Sequence, residues 1–221
     1  MGYKLTFNEV SELFNKLIEE YRIFAPKRFE KQGRYSNTDI IKYSEVTKVE
    51  EIVFDEKSTY PAKEVITPIS QTLYYFTEDE IKESSYGDKR KILIFGRPCD
   101  INAQERQDKI YLHNGSFQDD FYKKVRSRVK FVCIECTEGF DTCFCVSMNS
   151  NKTDNYEMAV RVVDDGLLFN IKDVEFEKYF TTNNKADFNL EFIQKNKVDV
   201  RIPTIDSTEV VEELKNHPMW N

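Results

Sequence analysis

Residues 91–100 read KILIFGRPCD, and residues 129–136 read VKFVCIEC. The apolar runs at 91–96 and 129–135 are short and continuous, as in strands covered on both faces. Each leads into a cysteine. Between them, INAQERQD reads as a helix with Asp100 at its N-cap. Ser116 to Arg126 reads as a second helix, with Asp119 and Asp120 in an acidic first turn. Strand, helix, strand in that order predicts a parallel α/β layer. The expected fold is mixed α/β: a short, largely parallel sheet flanked by helices, plus a β-hairpin and an N-terminal amphipathic helix.

The flanking sequence supplies the other elements. In LTFNEVSELFNKLIEEY, Thr6 and Glu9 form a capping box, with Leu5 and Val10 as a hydrophobic staple. Val10, Leu13, Phe14, Leu17, Ile18 and Tyr21 then recur at helical spacing, as on a face docked against a core. APKRFEKQGRYSNTD is polar and turn-rich, and a further short element starts at Asp39. Residues 49–54 suit a short strand. Pro61 and Pro68 break the next stretch into loop. Ile69 to Phe76 reads as helix, and Tyr86 to Lys89 as a turn. MAVRVV and LLFNI flank Asp-Asp-Gly, the signature of a β-hairpin. Residues 173–197 resist assignment. Ser207 starts a short helix that Pro218 ends. The chain divides into an N-terminal region at 1–90, a cysteine-bearing α/β core at 91–172, and a C-terminal extension at 173–221.

Composition excludes several functions. Among 221 residues, 39 Asp and Glu outnumber 32 Lys and Arg, for a net charge of −7, which disfavours nucleic acid as a partner. Apolar runs fall well short of the ~20 residues of a membrane span. MGYKLTFNEV lacks the apolar core of a signal peptide, and Gly2 is followed by nothing that supports myristoylation. A cytoplasmic location is expected. There thiols stay reduced, and a cysteine cluster points to metal or redox chemistry before disulfides.

Four of the five cysteines crowd into residues 133–145, CIECTEGFDTCFC. Cys99 and Cys136 both follow the carboxyl ends of expected strands, where ligands bind in open α/β sheets. Cys143 and Cys145 return from a loop containing Gly139 and Asp141. Cys133 lies inside its strand, where a cysteine serves as a small core residue. The candidate ligand set is therefore Cys99, Cys136, Cys143 and Cys145. Four thiolates suit an iron–sulfur cluster, [4Fe–4S], or a tetrahedral zinc. The spacing is not that of paired C-x2-C zinc knuckles. Asp100 beside Cys99 is a helix cap or, alternatively, an oxygen ligand. Arg97 and Lys57 are either solvated or placed to tune a thiolate centre.

Taken together, YRIFAPKRF, GRYSNTDII, EKSTYPAKEVITP, GRPCDINA and ECTEGFDTCFCVSM resemble the small iron–sulfur subunit of anaerobic sulfite reductase, with related segments in β subunits of cytoplasmic NiFe hydrogenases. The likeness runs from about residue 20 to 160, and more loosely beyond. It implies a non-catalytic electron relay. On one side would stand a flavin-bearing, nicotinamide-oxidising subunit, on the other a sirohaem subunit that reduces sulfite. The family's cysteines fall on Cys99, Cys136, Cys143 and Cys145. The family continues into a ferredoxin-like module with C-x2-C-x2-C-x3-C-P runs. This sequence has no such run and stops at HPMWN.

Two other classes remain open on the residues. One is a structural zinc domain that binds protein partners. The other is a thiol enzyme with Cys99 as nucleophile, its pKa lowered at a helix start, paired with His113.

Overall fold

The structure is a computed structural model and describes residues 1–35, 37–84, 88–181, 184–200 and 206–220. Of the turn read at Tyr86 to Lys89, Tyr86 and Gly87 lie outside the described residues.

The elements, in chain order, begin with β1 (Gly2–Thr6), α1 (Phe7–Glu20), β2 (Tyr21–Phe29) and β3 (Ile40–Val46). The short strands β4 (Tyr74–Phe76) and β5 (Ile81–Glu83) follow, then β6 (Lys91–Gly96), α2 (Pro98–Leu112) and α3 (Asp120–Arg126). The chain continues through β7 (Val129–Ile134), β8 (Met158–Val163), β9 (Gly166–Ile171) and α4 (Ser207–Lys215). Seven strands form one sheet in the order β1-β9-β8-β7-β6-β2-β3, and β4-β5 form a separate hairpin. The central neighbours β2-β6, β6-β7 and β7-β8 are parallel, while both edges are antiparallel. The expected fold class is what the structure shows. The Asp-Asp-Gly hairpin is β8-β9, and it extends the main sheet instead of standing apart.

Alternation within β6 and β7 explains why both read as continuous apolar runs. Leu93, Phe95, Val132 and Ile134 pack on the face covered by α1. Ile92, Ile94, Phe131 and Cys133 pack on the face covered by α2 and α3. A strand buried on both sides has no polar face to alternate with. Helix α1 crosses from the β1 edge towards β2 with Val10, Leu13, Phe14 and Leu17 buried. The Thr6–Glu9 capping box forms as read: Thr6 N–H donates to Glu9 Oε2 at 2.8 Å, and Glu9 N–H to Thr6 Oγ1 at 3.4 Å.

Four readings need correction. The APKRF segment is strand β2, not loop. Pro26 is tolerated because β2 pairs with β6 only through Phe24, so the missing N–H interrupts no ladder on that side. Residues 49–54 form a 3-10 turn at Val49–Glu51, because the Glu51 carboxylate accepts the Thr47 and Lys48 N–H groups and folds the chain back. The helix read at Ile69 to Phe76 is instead loop followed by β4, whose three residues are all exposed and offer no buried face to dock a helix. The Ser116 helix starts later, at Asp120, with Asp119 as N-cap accepting from Tyr122 N–H at 2.7 Å.

Gly2 and Gly166 are demanded by close approach. A Cβ on Gly2 would lie 2.1 Å from the Ala186 carbonyl oxygen, and one on Gly166 would lie 1.9 Å from that of Leu5. No helix is long and apolar enough to cross a membrane among the described residues. At the amino-terminal end of the parallel strands, Lys130 bridges Asp173 at 2.6 Å and Glu175 at 2.7 Å. Lys91 and the Tyr21 hydroxyl reach the other Glu175 oxygen at 2.5 and 2.9 Å.

Thr6→Ala removes a helix cap and should cost about 1 kcal/mol in denaturant unfolding. Lys130, then Lys91, hold Glu175 down at about 2, against about 4.3 in an unfolded chain. A depressed carboxylate stabilises the fold above the unfolded pKa, and that contribution disappears as pH falls towards 2. Lys130→Met should therefore lose about 1–2 kcal/mol at pH 7. The deficit should shrink at pH 3, measured by urea unfolding at both values.

Candidate metal centre

The register of β6 against β7 builds the site. Gly96, the last residue of β6, pairs with Cys133. Cys99 lies three residues beyond the first of these and Cys136 three beyond the second, so the two loops leave adjacent strands at one level. Cys133 itself is fully buried in the core beneath α2 and α3, as its strand position implied.

Helix α2 begins with Arg97 as N-cap and Pro98 as its first residue, which places Cys99 second and Asp100 third. Asp100 is therefore not the N-cap. Its Oδ2 accepts from the Arg97 backbone N–H at 3.1 Å and from the Tyr43 hydroxyl at 2.9 Å. The expected cap is displaced because Pro98 takes the first helical position. The carboxylate then reaches back from the third, as an acidic residue does in a capping box.

The loop carrying the other cysteines is held by turns and amides. Cys143 N–H donates to Phe140 O at 2.9 Å, and Ser150 N–H to Cys145 O at 2.9 Å. Asn102, one turn into α2, donates to Ser150 O at 3.0 Å and Lys152 O at 2.8 Å. On the other side, residues 191–197 run past the loop. Ile193 N–H donates to Cys136 O at 2.7 Å, and buried Asn151 donates to Ile193 O at 2.7 Å. Asn196 accepts from Val146 N–H at 3.2 Å and donates to Ser147 Oγ at 2.7 Å. The 173–197 stretch thus supplies a clamp that its sequence did not announce. Asn102 alone carried a signal, one helical turn after Cys99 within GRPCDINA.

All four candidate thiols are partly exposed and lie within electrostatic reach of one another. Burial, then Asp100 and the thiols of Cys145, Cys136 and Cys143, push Cys99 up to about 12. Burial also raises Cys136 and Cys145, and each feels the neighbouring thiols in the same direction. Four thiolates cannot share this space unless positive charge neutralises them. Part of it is built in. Arg97 lowers Cys136, while Lys57 and the backbone N–H groups of Cys145 and Val146 lower Cys145.

Arg97 is buried, 6% exposed, whereas Lys57 is exposed. The Arg97 Nη2 donates to Phe54 O at 2.7 Å and Glu56 O at 3.0 Å, and its guanidinium lies 5.0 Å from the Phe140 ring centre. Lys57 Nζ donates to Thr142 Oγ1 at 2.9 Å. A cleft of about 690 Å³ adjoins Cys136, with Lys57, Arg97, Glu138 and Phe140 in its wall. A larger cavity of about 890 Å³, beside Arg22, Phe24, Tyr74 and Phe121, holds no cysteine.

The donor set fits a soft, thiolate-ligated centre, since soft metals favour sulfur. Among the described residues, no three or more His, Cys, Asp or Glu side chains are grouped to hold one metal ion, so a lone zinc finds no ready-made site. The thiol-enzyme reading fails on two counts. Cys99 is raised, not lowered, because burial and its acidic neighbours outweigh the helix start. His113 caps the far end of α2, about 21 Å away at ~1.5 Å per residue.

No protein-family model, curated protein or solved structure was found to match the chain. The likeness to the sulfite reductase family rests on the quoted segments alone.

Asn196→Ala should destabilise the fold by about 1–3 kcal/mol, because two partly buried partners lose their bond. Amide exchange should quicken at residues 144–149, with β6 and β7 protected as before.

Proposed function

We propose that the chain is a non-catalytic electron-transfer subunit holding one [4Fe–4S] cluster on Cys99, Cys136, Cys143 and Cys145. The observation that carries this is the convergence of four partly exposed thiols, from two parallel strand ends and one clamped loop, beside a buried arginine. When bound, such a cluster accepts and returns one electron at a time. The chain's own residues do the rest. The start of α2 sets the direction of Cys99, and Asn102, Asn151 and Asn196 hold the loop bearing the others. Arg97 and Lys57 offset thiolate charge. Partial exposure of the thiols, with exposed Phe144 between two of them, suits exchange with a partner docked nearby.

The segments shared with the iron–sulfur subunit of anaerobic sulfite reductase support the physiological setting. In that setting the chain works in the cytoplasm. Its electrons come from a flavin-bearing, nicotinamide-oxidising subunit. They pass on towards a sirohaem subunit that reduces sulfite. The chain holds no flavin and no sirohaem itself under this reading.

Anaerobically purified protein should be brown and contain roughly four irons and four acid-labile sulfides per chain. Cys145→Ser should lose most of the visible absorbance while keeping wild-type circular dichroism. Colourless protein with one zinc per chain and no labile sulfide overturns the proposal.

A further inference from the structure

We propose that Arg97 is the positioning residue that sets the reduction potential of this centre, an inference that rests on the cluster reading above. A buried charge is costly unless countered. Yet among the described residues no carboxylate forms an ion pair with the Arg97 guanidinium, although the chain forms many such pairs elsewhere. Its partners are two backbone carbonyls and the Phe140 face, all neutral. They fix the guanidinium in place without cancelling its charge. Asp100 feels that charge through space, but its carboxylate bonds to the Arg97 backbone and to Tyr43. The guanidinium faces the thiol side: Arg97 lines the cleft with Cys136, and its field favours the Cys136 thiolate.

A thiolate-ligated cluster is anionic overall, and taking up one electron from a reductant adds one more negative charge to the site. A fixed cation stabilises that added charge and so makes reduction more favourable. The size of the effect depends on solvent. Arg97 is walled off by Phe54, Phe140 and the sheet, where the effective dielectric constant is low. Lys57 sits in water, where its influence is screened. Two cations beside one centre should therefore act unequally. Arg97 also couples three segments that meet here: the 54–56 turn, the start of α2 and the 136–145 loop.

The test is a dithionite titration of anaerobically purified full-length protein, followed by electron paramagnetic resonance, on wild type, Arg97→Gln, Arg97→Lys and Lys57→Gln. Iron and labile sulfide are counted in each sample. Removing the buried charge in Arg97→Gln should make one-electron reduction at least tenfold less favourable, a downward shift of about 59 mV or more. Lys57→Gln should change it by less than about threefold. Arg97→Lys, which keeps the charge, should stay within about threefold of wild type. That arm decides the matter by itself if the glutamine variant fails to assemble, since a merely structural role would be lost in both. A loaded Arg97→Gln whose potential moves no further than that of Lys57→Gln overturns this inference alone. So does a tenfold shift in Arg97→Lys. Wild-type protein without iron or labile sulfide overturns the cluster reading, and this inference falls with it.

Discussion

The parallel pairing of β6 with β7 is the constraint on which the structure depends. Both strands are buried on two faces, so a slip of one residue would turn Leu93, Phe95, Val132 and Ile134 away from α1. Hydrophobic packing on both sides therefore locks the register. The locked register in turn brings Gly96 opposite Cys133 and starts the two cysteine-bearing loops side by side. Chemistry at the sheet end is thus a consequence of packing far inside it.

What happens beyond the strand ends is governed by electrostatics. Helix α2 has to start at once, and Pro98 and Asp100 see to that, the first by its fixed φ and the second by capping back to Arg97. The same short run places a thiol, a carboxylate and a guanidinium within a few residues. Asp100 and the other thiols oppose ionisation of Cys99, while Arg97 favours it at Cys136. Such an arrangement is under electrostatic tension without countercharge, and a cationic inorganic core is the kind of group that relieves it. Arg97 stays unpaired with any described carboxylate because its guanidinium is held by carbonyls of the 54–56 turn. It thereby keeps its charge available to the thiols.

The segments around this centre come from all along the chain. Tyr43 on β3 supports Asp100, the 54–56 turn supports Arg97, and residues 191–197 clamp the cysteine loop. The sheet likewise draws β1 to β3 from residues 1–90 and β6 to β9 from residues 91–172. The site and the fold therefore stabilise one another: loosening the carboxyl-terminal clamp loosens the loop, but leaves the two central strands their own core.

By itself the sequence determined whatever depends on neighbouring residues. The capping box of α1, the two doubly buried strands, the hairpin at Asp-Asp-Gly and the core position of Cys133 were legible because propensity, periodicity and turn chemistry act over a few residues. The mixed α/β class followed from their order. Only the tertiary structure decided whether Tyr21–Phe29 was strand or loop, since Pro26 and its cationic neighbours are acceptable only where β2 has run past the end of its pairing with β6. Only the tertiary structure, too, buried Arg97 while leaving Lys57 in water, and brought Asn196 onto a loop 50 residues earlier. Burial and partnership across such distances depend on what else packs nearby, and no local pattern of residues encodes that.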